Sequence, residues 1–208
     1  MISRRSLLSG LCCAATTVTS PSIVEATLFK PLWQERALWL SRQGTNEEVR
    51  VPFCRDGYTV YVPGYRALCW VLRDHQVDPK EGYVNFSINT IEALWEIQQT
   101  INKQTGVRRP LVITSGYRTS WTNAHTDRSV QNSQHIRATA VDMYVDGLSS
   151  KQLYTDCYSR AISGGIGYYD DHVHLDTGER RYWVGETTMP KMNLADVGSL
   201  KDQKIFLV

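Results

Sequence analysis

Two short segments in the second half of the chain carry side chains of the types that bind zinc. The first contains His135 and Asp142, and the second contains His172 and His174. Two imidazoles and one carboxylate leave a tetrahedral zinc ion with an open position for water, which distinguishes a catalytic from a structural zinc site. These residues therefore predict a catalytic centre that holds one Zn²⁺ per chain.

Alternating apolar and polar residues predict that both segments form β-strands, because successive side chains of a strand point to opposite faces. The apolar side chains on one face of the two strands are Val141, Met143, Val145, Val173 and Leu175. Asp142 lies opposite this face in the first strand, and His172, His174 and Asp176 lie opposite it in the second. If the strands are neighbours, Asp142 and His174 converge, and His135 can reach them from the preceding loop.

The same residues also have a simpler interpretation. A single histidine on a strand is usually a hydrogen-bonded surface or core residue, and clusters of histidine and aspartate give many false matches. Three of the five histidines fall inside the two segments, whereas His75 and His125 lie outside them. The spacing alone leaves both interpretations open.

Four motifs in this order resemble the zinc D,D- and L,D-peptidases of bacterial cell walls, which share their fold with hedgehog signalling domains. The matching stretches are Ser115-Gly-Tyr-Arg118, the pattern of Ser133, His135, Ala140 and Asp142, the run Gly164-Gly-Ile-Gly-Tyr-Tyr169, and His174 with Asp176. The chain is most similar to the murein endopeptidase K branch, and the likeness extends from about residue 36 to residue 183.

The resemblance implies an α+β fold of the hedgehog/DD-peptidase type, in which helices pack on a small, largely antiparallel sheet that carries the zinc site. It also implies hydrolysis of peptide crosslinks or stem peptides of peptidoglycan, in which a zinc-activated water attacks the scissile amide. The choice between D,D and L,D bonds, and between endopeptidase and carboxypeptidase action, depends on the shape of the pocket and stays open.

The resemblance further implies that His135, Asp142 and His174 hold the zinc. Related enzymes place an acid three residues before the last zinc histidine, where this chain has Asp171. His172 is the alternative, either as the general base or as the group that stabilises the oxyanion. Simple strand alternation points Asp171 away from the metal face, so the pattern favours His172.

Other residues are expected to bind substrate or to support the zinc ligands. Arg118 follows an apolar run that predicts a buried strand, and its guanidinium can bind a carboxylate of a murein peptide. The alternative is a surface arginine that pairs with a local acid. Tyr117 and Ser133 are also expected to contact substrate, and Asp176 is expected to orient His174.

One position departs from the family pattern, because Ala138 stands where the family has glycine. A glycine between two ligands often adopts a positive φ that alanine tolerates poorly. This departure favours a rival function, a catalytically silent murein-binding or envelope-assembly module that keeps the fold. The intact set of His135, Asp142 and His174 favours the enzyme. A second rival, a zinc peptidase that acts on free dipeptides, differs only in substrate length.

The first residues of the chain predict export. Arg4 and Arg5 precede a short apolar stretch, which resembles a twin-arginine signal and implies the twin-arginine or general secretory machinery as a partner. The stretch is shorter than the roughly 20 residues that span a bilayer, so we expect a periplasmic protein without a stable membrane span in its mature form. The predicted regions are an export signal at 1–26, a zinc peptidase domain at 27–186 and an extension of unknown role at 187–208.

Composition restricts the partners and the redox chemistry. The 208-residue chain has a formal net charge of +2, and its basic residues are scattered, which gives no reason to expect nucleic acid. The expected partners are peptidoglycan peptides. Cys54 and Cys69 are the nearest pair of cysteines after the signal, and they either form a disulfide in an oxidising compartment or stay free and buried.

Hydrophobic periodicity and turn residues predict the remaining elements. They are a hairpin of strands at 36–42 and 49–54, a helix from about 63 to 74, a helix at 87–103 capped by Ser87, a buried strand at 111–115, a polar loop at 119–134, and a helix that starts at 149 or 150 and ends by 164.

Overall fold

The computed structural model describes residues 35–160 and 164–185. The predicted export signal at 1–26 and the C-terminal extension at 187–208 lie outside these ranges. Within the described ranges, no helix is both long and apolar enough to cross a membrane.

Helices and strands are mixed along the chain. In chain order they are β1 (Arg36–Arg42), β2 (Glu48–Cys54), α1 (Val62–Val71), α2 (Pro79–Gly82), α3 (Ile88–Thr105), β3 (Leu111–Ser115), α4 (Ser120–Ala124), a 3-10 helix (Gln134–Arg137), β4 (Ala140–Tyr144), α5 (Ser150–Arg160), β5 (Gly165–Tyr168), β6 (Val173–Asp176) and β7 (Arg181–Val184). The strands form one seven-stranded sheet in the order β2-β1-β3-β4-β6-β5-β7. This architecture confirms the predicted α+β class.

Most strand pairs in the sheet are antiparallel. The exceptions are β1 with β3 and β5 with β7, which run parallel. The pairs that surround the predicted metal ligands, β3–β4 and β4–β6, are both antiparallel. The sheet is therefore largely antiparallel, as expected, but it has two more strands than the sequence patterns predicted.

Helix α3 supplies much of the hydrophobic core. Its buried apolar side chains recur every three or four residues and are Ile91, Ala93, Leu94, Ile97 and Ile101. This spacing places them on one face of the helix, which packs against β1 and α5. The helix ends at Gly106, whose φ of 69° suits a left-handed C-cap. Ser87 occupies the N-cap position, but its side chain makes no capping hydrogen bond.

Two regions differ from the sequence-based expectations. The predicted polar loop at 119–134 contains α4, because the Thr119 side chain accepts a hydrogen bond from the backbone N–H of Thr122 and so caps a short helix. The strands β5 and β7 were missed, because each has only four residues and the pair Gly164-Gly165, where β5 begins, suggested a turn. Cys54 and Cys69 are free and buried, as is Cys157.

Candidate metal centre

A row of paired residues crosses five strands of the sheet and forms the floor of the candidate site. In strand order the paired residues are Ser115, Asp142, His174, Gly167 and Trp183. Residues paired directly across neighbouring strands point to the same face of a sheet. Asp142 and His174 therefore meet because β4 and β6 pair in this register, although the two residues are far apart in sequence.

His135 reaches this row from the 3-10 helix that precedes β4. The backbone N–H of His135 donates to the Ser133 hydroxyl at 3.3 Å, so Ser133 caps the first turn. The helix ends at Ala138, which has φ 53° and ψ 39°. The sequence suggested such a left-handed conformation at this position, and it costs a residue with a side chain about 1–2 kcal/mol.

Three atoms of the predicted ligands face one another. The Nε2 atom of His135 lies 3.2 Å from Nδ1 of His174 and 3.3 Å from Oδ1 of Asp142, and Nδ1 of His174 lies 2.8 Å from the same oxygen. Zinc bonds of about 2.0–2.1 Å at tetrahedral angles place ligand atoms roughly 3.3 Å apart. The spacing of the three atoms therefore suits a metal ion of this size.

The outer nitrogens of both imidazoles are held by acceptors. Nδ1 of His135 donates to the carbonyl oxygen of Gly116 at 2.7 Å, and Nε2 of His174 donates to Oδ2 of Asp176 at 2.9 Å. In neutral imidazoles the inner nitrogens then carry lone pairs and no hydrogen. In that protonation state the two nitrogens and the Asp142 oxygen offer three lone pairs that a metal ion can bind.

Burial and mutual contact shift the pKa values of the three side chains. Burial lowers the pKa of His135, which favours the neutral form that binds metals. Burial alone would raise the pKa of Asp142, but the charges and hydrogen bonds of His135 and His174 outweigh it and hold this pKa well below its ordinary value. Burial also opposes protonation of His174, whose hydrogen bonds to Asp142 and Asp176 nevertheless raise its pKa.

Arg118 holds the outer oxygen of Asp142. Its Nη2 donates to Oδ2 of Asp142 at 2.7 Å, and its Nε donates to the Ser115 hydroxyl at 2.8 Å. These bonds leave Oδ1 of Asp142 for the two histidines. Arg118 thus pairs with an acid, which was the alternative to a substrate contact, and that acid is itself part of the candidate centre.

Asp176 is completely buried and binds His174 from the side opposite Asp142. Its Oδ1 accepts from the backbone N–H of Gly165 at 3.0 Å and of Gly178 at 2.8 Å, and its Oδ2 accepts from Arg181 at 2.7 Å. Burial would raise the pKa of Asp176, but the bond to His174 and these further partners lower it to about 2. The carboxylate therefore stays charged and fixes the orientation of the His174 ring.

The comparison with known proteins agrees with this geometry. Residues 30–183 match the family model described as peptidoglycan L,D-endopeptidase MepK. The chain belongs to this family. Relatives that carry the name peptidoglycan L,D-endopeptidase MepK include those of Escherichia coli K12, Escherichia coli O157:H7 and Shigella flexneri, each 28% identical over 188 residues, which is 86% of this chain and 96% of the relative. Every residue of the row across the sheet lies within the range that matches the MepK family.

The two candidates for the general base of this family member lie in the turn between β5 and β6. Nδ1 of His172 donates to Oδ1 of Asp171 at 2.7 Å. The strand β6 begins at Val173, so the alternation that placed His172 on the metal face does not extend to it. The Asp171 side chain is 85% exposed and that of His172 is 23% exposed. The two residues are hydrogen-bonded partners, whereas the sequence presented them as competitors.

Ser133 and Tyr117, which we expected to contact substrate, make contacts within the protein. Ser133 is buried, and its hydroxyl caps the turn that carries His135. The Tyr117 side chain packs against the hydrophobic core, and its backbone N–H donates to the carbonyl oxygen of Leu72. The substrate contacts of both residues stay predictions, and the structure adds a capping role for Ser133 and core packing for Tyr117.

Sequence reasoning did not find three side chains next to the centre. Arg181 pairs with Asp176, the ring of Trp183 lies 5.1 Å from that of His174, and the Tyr169 hydroxyl binds Trp183. Arg181 and Trp183 lie on β7, which was not predicted. The sequence feature that could have pointed to Trp183 is Gly167, since a side chain there would overlap the Trp183 indole. Glycine at this position lets the indole extend across β5 toward His174.

Proposed function

We propose that this chain is an exported zinc metallopeptidase that hydrolyses peptide bonds of peptidoglycan, with the L,D-endopeptidase specificity in the name of its relatives. The observation that carries the proposal is the convergence of one nitrogen each of His135 and His174 and one oxygen of Asp142, which lie 2.8–3.3 Å from one another. A site of this composition leaves one tetrahedral position for the reacting water.

The proposed ligands are His135, Asp142 and His174, with one zinc ion per chain. Zinc held by these residues would lower the pKa of a bound water and polarise the scissile carbonyl. The protein supports this chemistry by favouring neutral His135 and anionic Asp142 and by orienting all three ligands. Gly116 and Asp176 each hold the outer N–H of one histidine, and Arg118 holds the outer oxygen of Asp142.

We propose His172 as the general base and Asp171 as the residue that orients it. The bond from Nδ1 to Asp171 places the hydrogen on that nitrogen and leaves Nε2 of neutral His172 as an acceptor. An imidazole in this tautomer can take a proton from a water within hydrogen-bond reach. A role for His172 in stabilising the oxyanion is the alternative.

Arg118 is proposed to act on Asp142 first and on the substrate second. Two of its nitrogens are used by Asp142 and Ser115, while Nη1 retains N–H groups that can bind a carboxylate of a murein peptide. If Arg118→Ala leaves the apparent affinity for a cross-linked muropeptide unchanged while zinc stays bound, the contact with substrate is wrong.

The function is tested by metal analysis and digestion of purified murein sacculi with the mature protein. We expect about one zinc per chain and release of muropeptides cut at L,D bonds, and we expect His174→Ala to abolish both. His125→Ala is the matched control, because His125 lies outside the centre and is expected to leave zinc and activity intact. Bound zinc with unchanged sacculi would instead support a silent murein-binding module, and D,D products would correct the bond preference.

A further inference from the structure

The hydroxyl of Tyr169 is oriented by a neighbour that can only donate. Nε1 of Trp183 donates to this hydroxyl at 3.1 Å, so the phenolic oxygen is the acceptor. The phenolic hydrogen remains available to donate, and within the described residues no hydrogen bond uses it. A half-buried tyrosine in this state presents a directed donor toward an incoming ligand.

The ring that carries this hydroxyl is held in place. It stacks on the His172 imidazole with ring centres 4.3 Å apart and an angle of 9° between the planes. It also lies against the backbone of Gly185, where any side chain would overlap the ring. The backbone N–H of Tyr169 donates to the carbonyl oxygen of His172 at 3.1 Å and closes the turn. Ring position and hydroxyl direction are therefore both set before substrate binds.

The hydroxyl lies close to the candidate metal centre. The indole of Trp183, which binds it, lies 5.1 Å from the His174 ring. The charges of Asp142 and Arg118 both act on the pKa of Tyr169, the first raising it and the second lowering it. Burial is the main cause that raises this pKa, so the phenol keeps its hydrogen at neutral pH. The turn that carries the proposed base thus also carries a neutral hydrogen-bond donor.

We propose that the Tyr169 hydroxyl donates a hydrogen bond to the carbonyl oxygen of the scissile amide, and that Trp183 is the positioning residue that directs it. This inference rests on the proposed function. As the carbonyl carbon is attacked, negative charge develops on its oxygen, and a donor fixed in advance stabilises that charge more than it stabilises the ground state. No proton is transferred from Tyr169 in this role, since the hydrogen bond only strengthens in the transition state.

The experiment compares Tyr169→Phe with Tyr168→Phe in turnover of a purified cross-linked muropeptide. Tyr168 is the preceding residue, and its ring is buried against Tyr154 in the core, so it is a matched control. Loss of a single oxyanion donor lowers kcat by about 100-fold. We expect this loss for Tyr169→Phe, with KM changed by less than about threefold and with zinc content and melting temperature unchanged. Tyr168→Phe should retain the kcat of the wild type.

A second comparison tests whether Trp183 acts through Tyr169. Trp183→Phe should lower kcat, and the double variant Trp183→Phe/Tyr169→Phe should be no slower than Tyr169→Phe alone, because the two residues share one interaction. A Tyr169→Phe enzyme within about threefold of the wild type, or one whose loss follows loss of zinc, overturns the inference. A wild-type protein that binds zinc but leaves both sacculi and muropeptide uncut overturns the proposed function itself, and this role with it.

Discussion

The buried metal centre and the β5–β6 turn both pair histidine with carboxylate, but they do so in different surroundings. In the centre, His174 contacts Asp142 on one side and the completely buried Asp176 on the other. In the turn, the His172 imidazole is hydrogen-bonded to Asp171, whose side chain is 85% exposed. The first pairing is set by the register of β4 and β6, and the second by a short turn before β6 begins.

This difference in surroundings separates two tasks. A carboxylate removed from water must be fully hydrogen-bonded, and every oxygen of Asp142 and Asp176 has at least one partner. Such a network has little freedom, which suits metal ligands. An exposed pair such as His172 and Asp171 is screened by water and contributes little to stability. Water can reach this pair, which suits a general base.

The largest expected effect tests the separate roles of His172 and Asp171 in the β5–β6 turn. We expect His172→Ala to lower kcat on a cross-linked muropeptide by about 10²–10⁴-fold, the usual contribution of a general base. Asp171→Ala should cost about fivefold, since it removes only an exposed partner. Zinc content is measured in both variants, and Asp170→Ala in the same turn is the control. If Asp171→Ala abolishes turnover with zinc bound while His172→Ala retains it, the two roles are reversed.

The hydrogen bond between Asp176 and His174 in the buried metal centre is tested by the affinity for zinc. Asp176→Asn removes the charge that holds His174, and loss of such a partner typically costs about 10–100-fold in metal affinity. Competition with a chelator of known affinity measures the change. Glu179→Gln removes a nearby exposed acid and should leave the affinity unchanged. An unaltered affinity in Asp176→Asn would mean that the strand register alone orients His174.

The lowered pKa of Asp176 predicts how the stability of the protein depends on pH in acid. The pKa of Asp176 is lowered to about 2 in the folded state, below its ordinary value of about 3.9 in an unfolded chain. Asp176 therefore stabilises the metal-free protein above about pH 4, and this contribution is lost as the pH falls from about 4 to about 2. Denaturant titrations of metal-free protein should show a shallower loss of stability in this window for Asp176→Asn. An identical slope in both proteins would contradict the shift.

The smallest expected effect concerns Ala138, which has a positive φ two residues before β4 begins. Ala138 has a φ of 53°, and Ala138→Gly relieves that strain but gains flexibility in the unfolded chain and loses a buried methyl group. We expect a net gain of about 0.5 kcal/mol in the free energy of unfolding. Ala140→Gly, two residues later in a strand, should instead destabilise by about 1 kcal/mol. A loss of stability in Ala138→Gly would show that the methyl group matters more than the strain.

Sequence patterns predicted most of the elements that carry the candidate site. The alternation around Asp142 and His174 identified β4 and β6, and the helical periodicity after Ser87 identified α3. The glycine of the related motif suggested that a positive φ is common at position 138, and Ala138 has a φ of 53°. These predictions succeeded because each depends on contacts between residues close in sequence.

Other features depended on contacts that local patterns do not encode. The four-residue strands β5 and β7 are stabilised by their neighbours in the sheet, so their own residues show little alternation. Arg181 and Trp183 were overlooked for this reason. Ser133 was assigned to substrate binding, although a serine two residues before His135 can equally cap a turn.

The sequence by itself determined which side chains are available at the centre and which family the chain resembles, because residue types and their spacing do not depend on how the chain folds. The tertiary structure decided which nitrogen of each histidine faces inward, which oxygen of Asp142 is held by Arg118, and that His172 and Asp171 are partners. These properties depend on hydrogen bonds between segments brought together by the pairing of β3, β4 and β6, and such pairing forms only when the whole sheet folds.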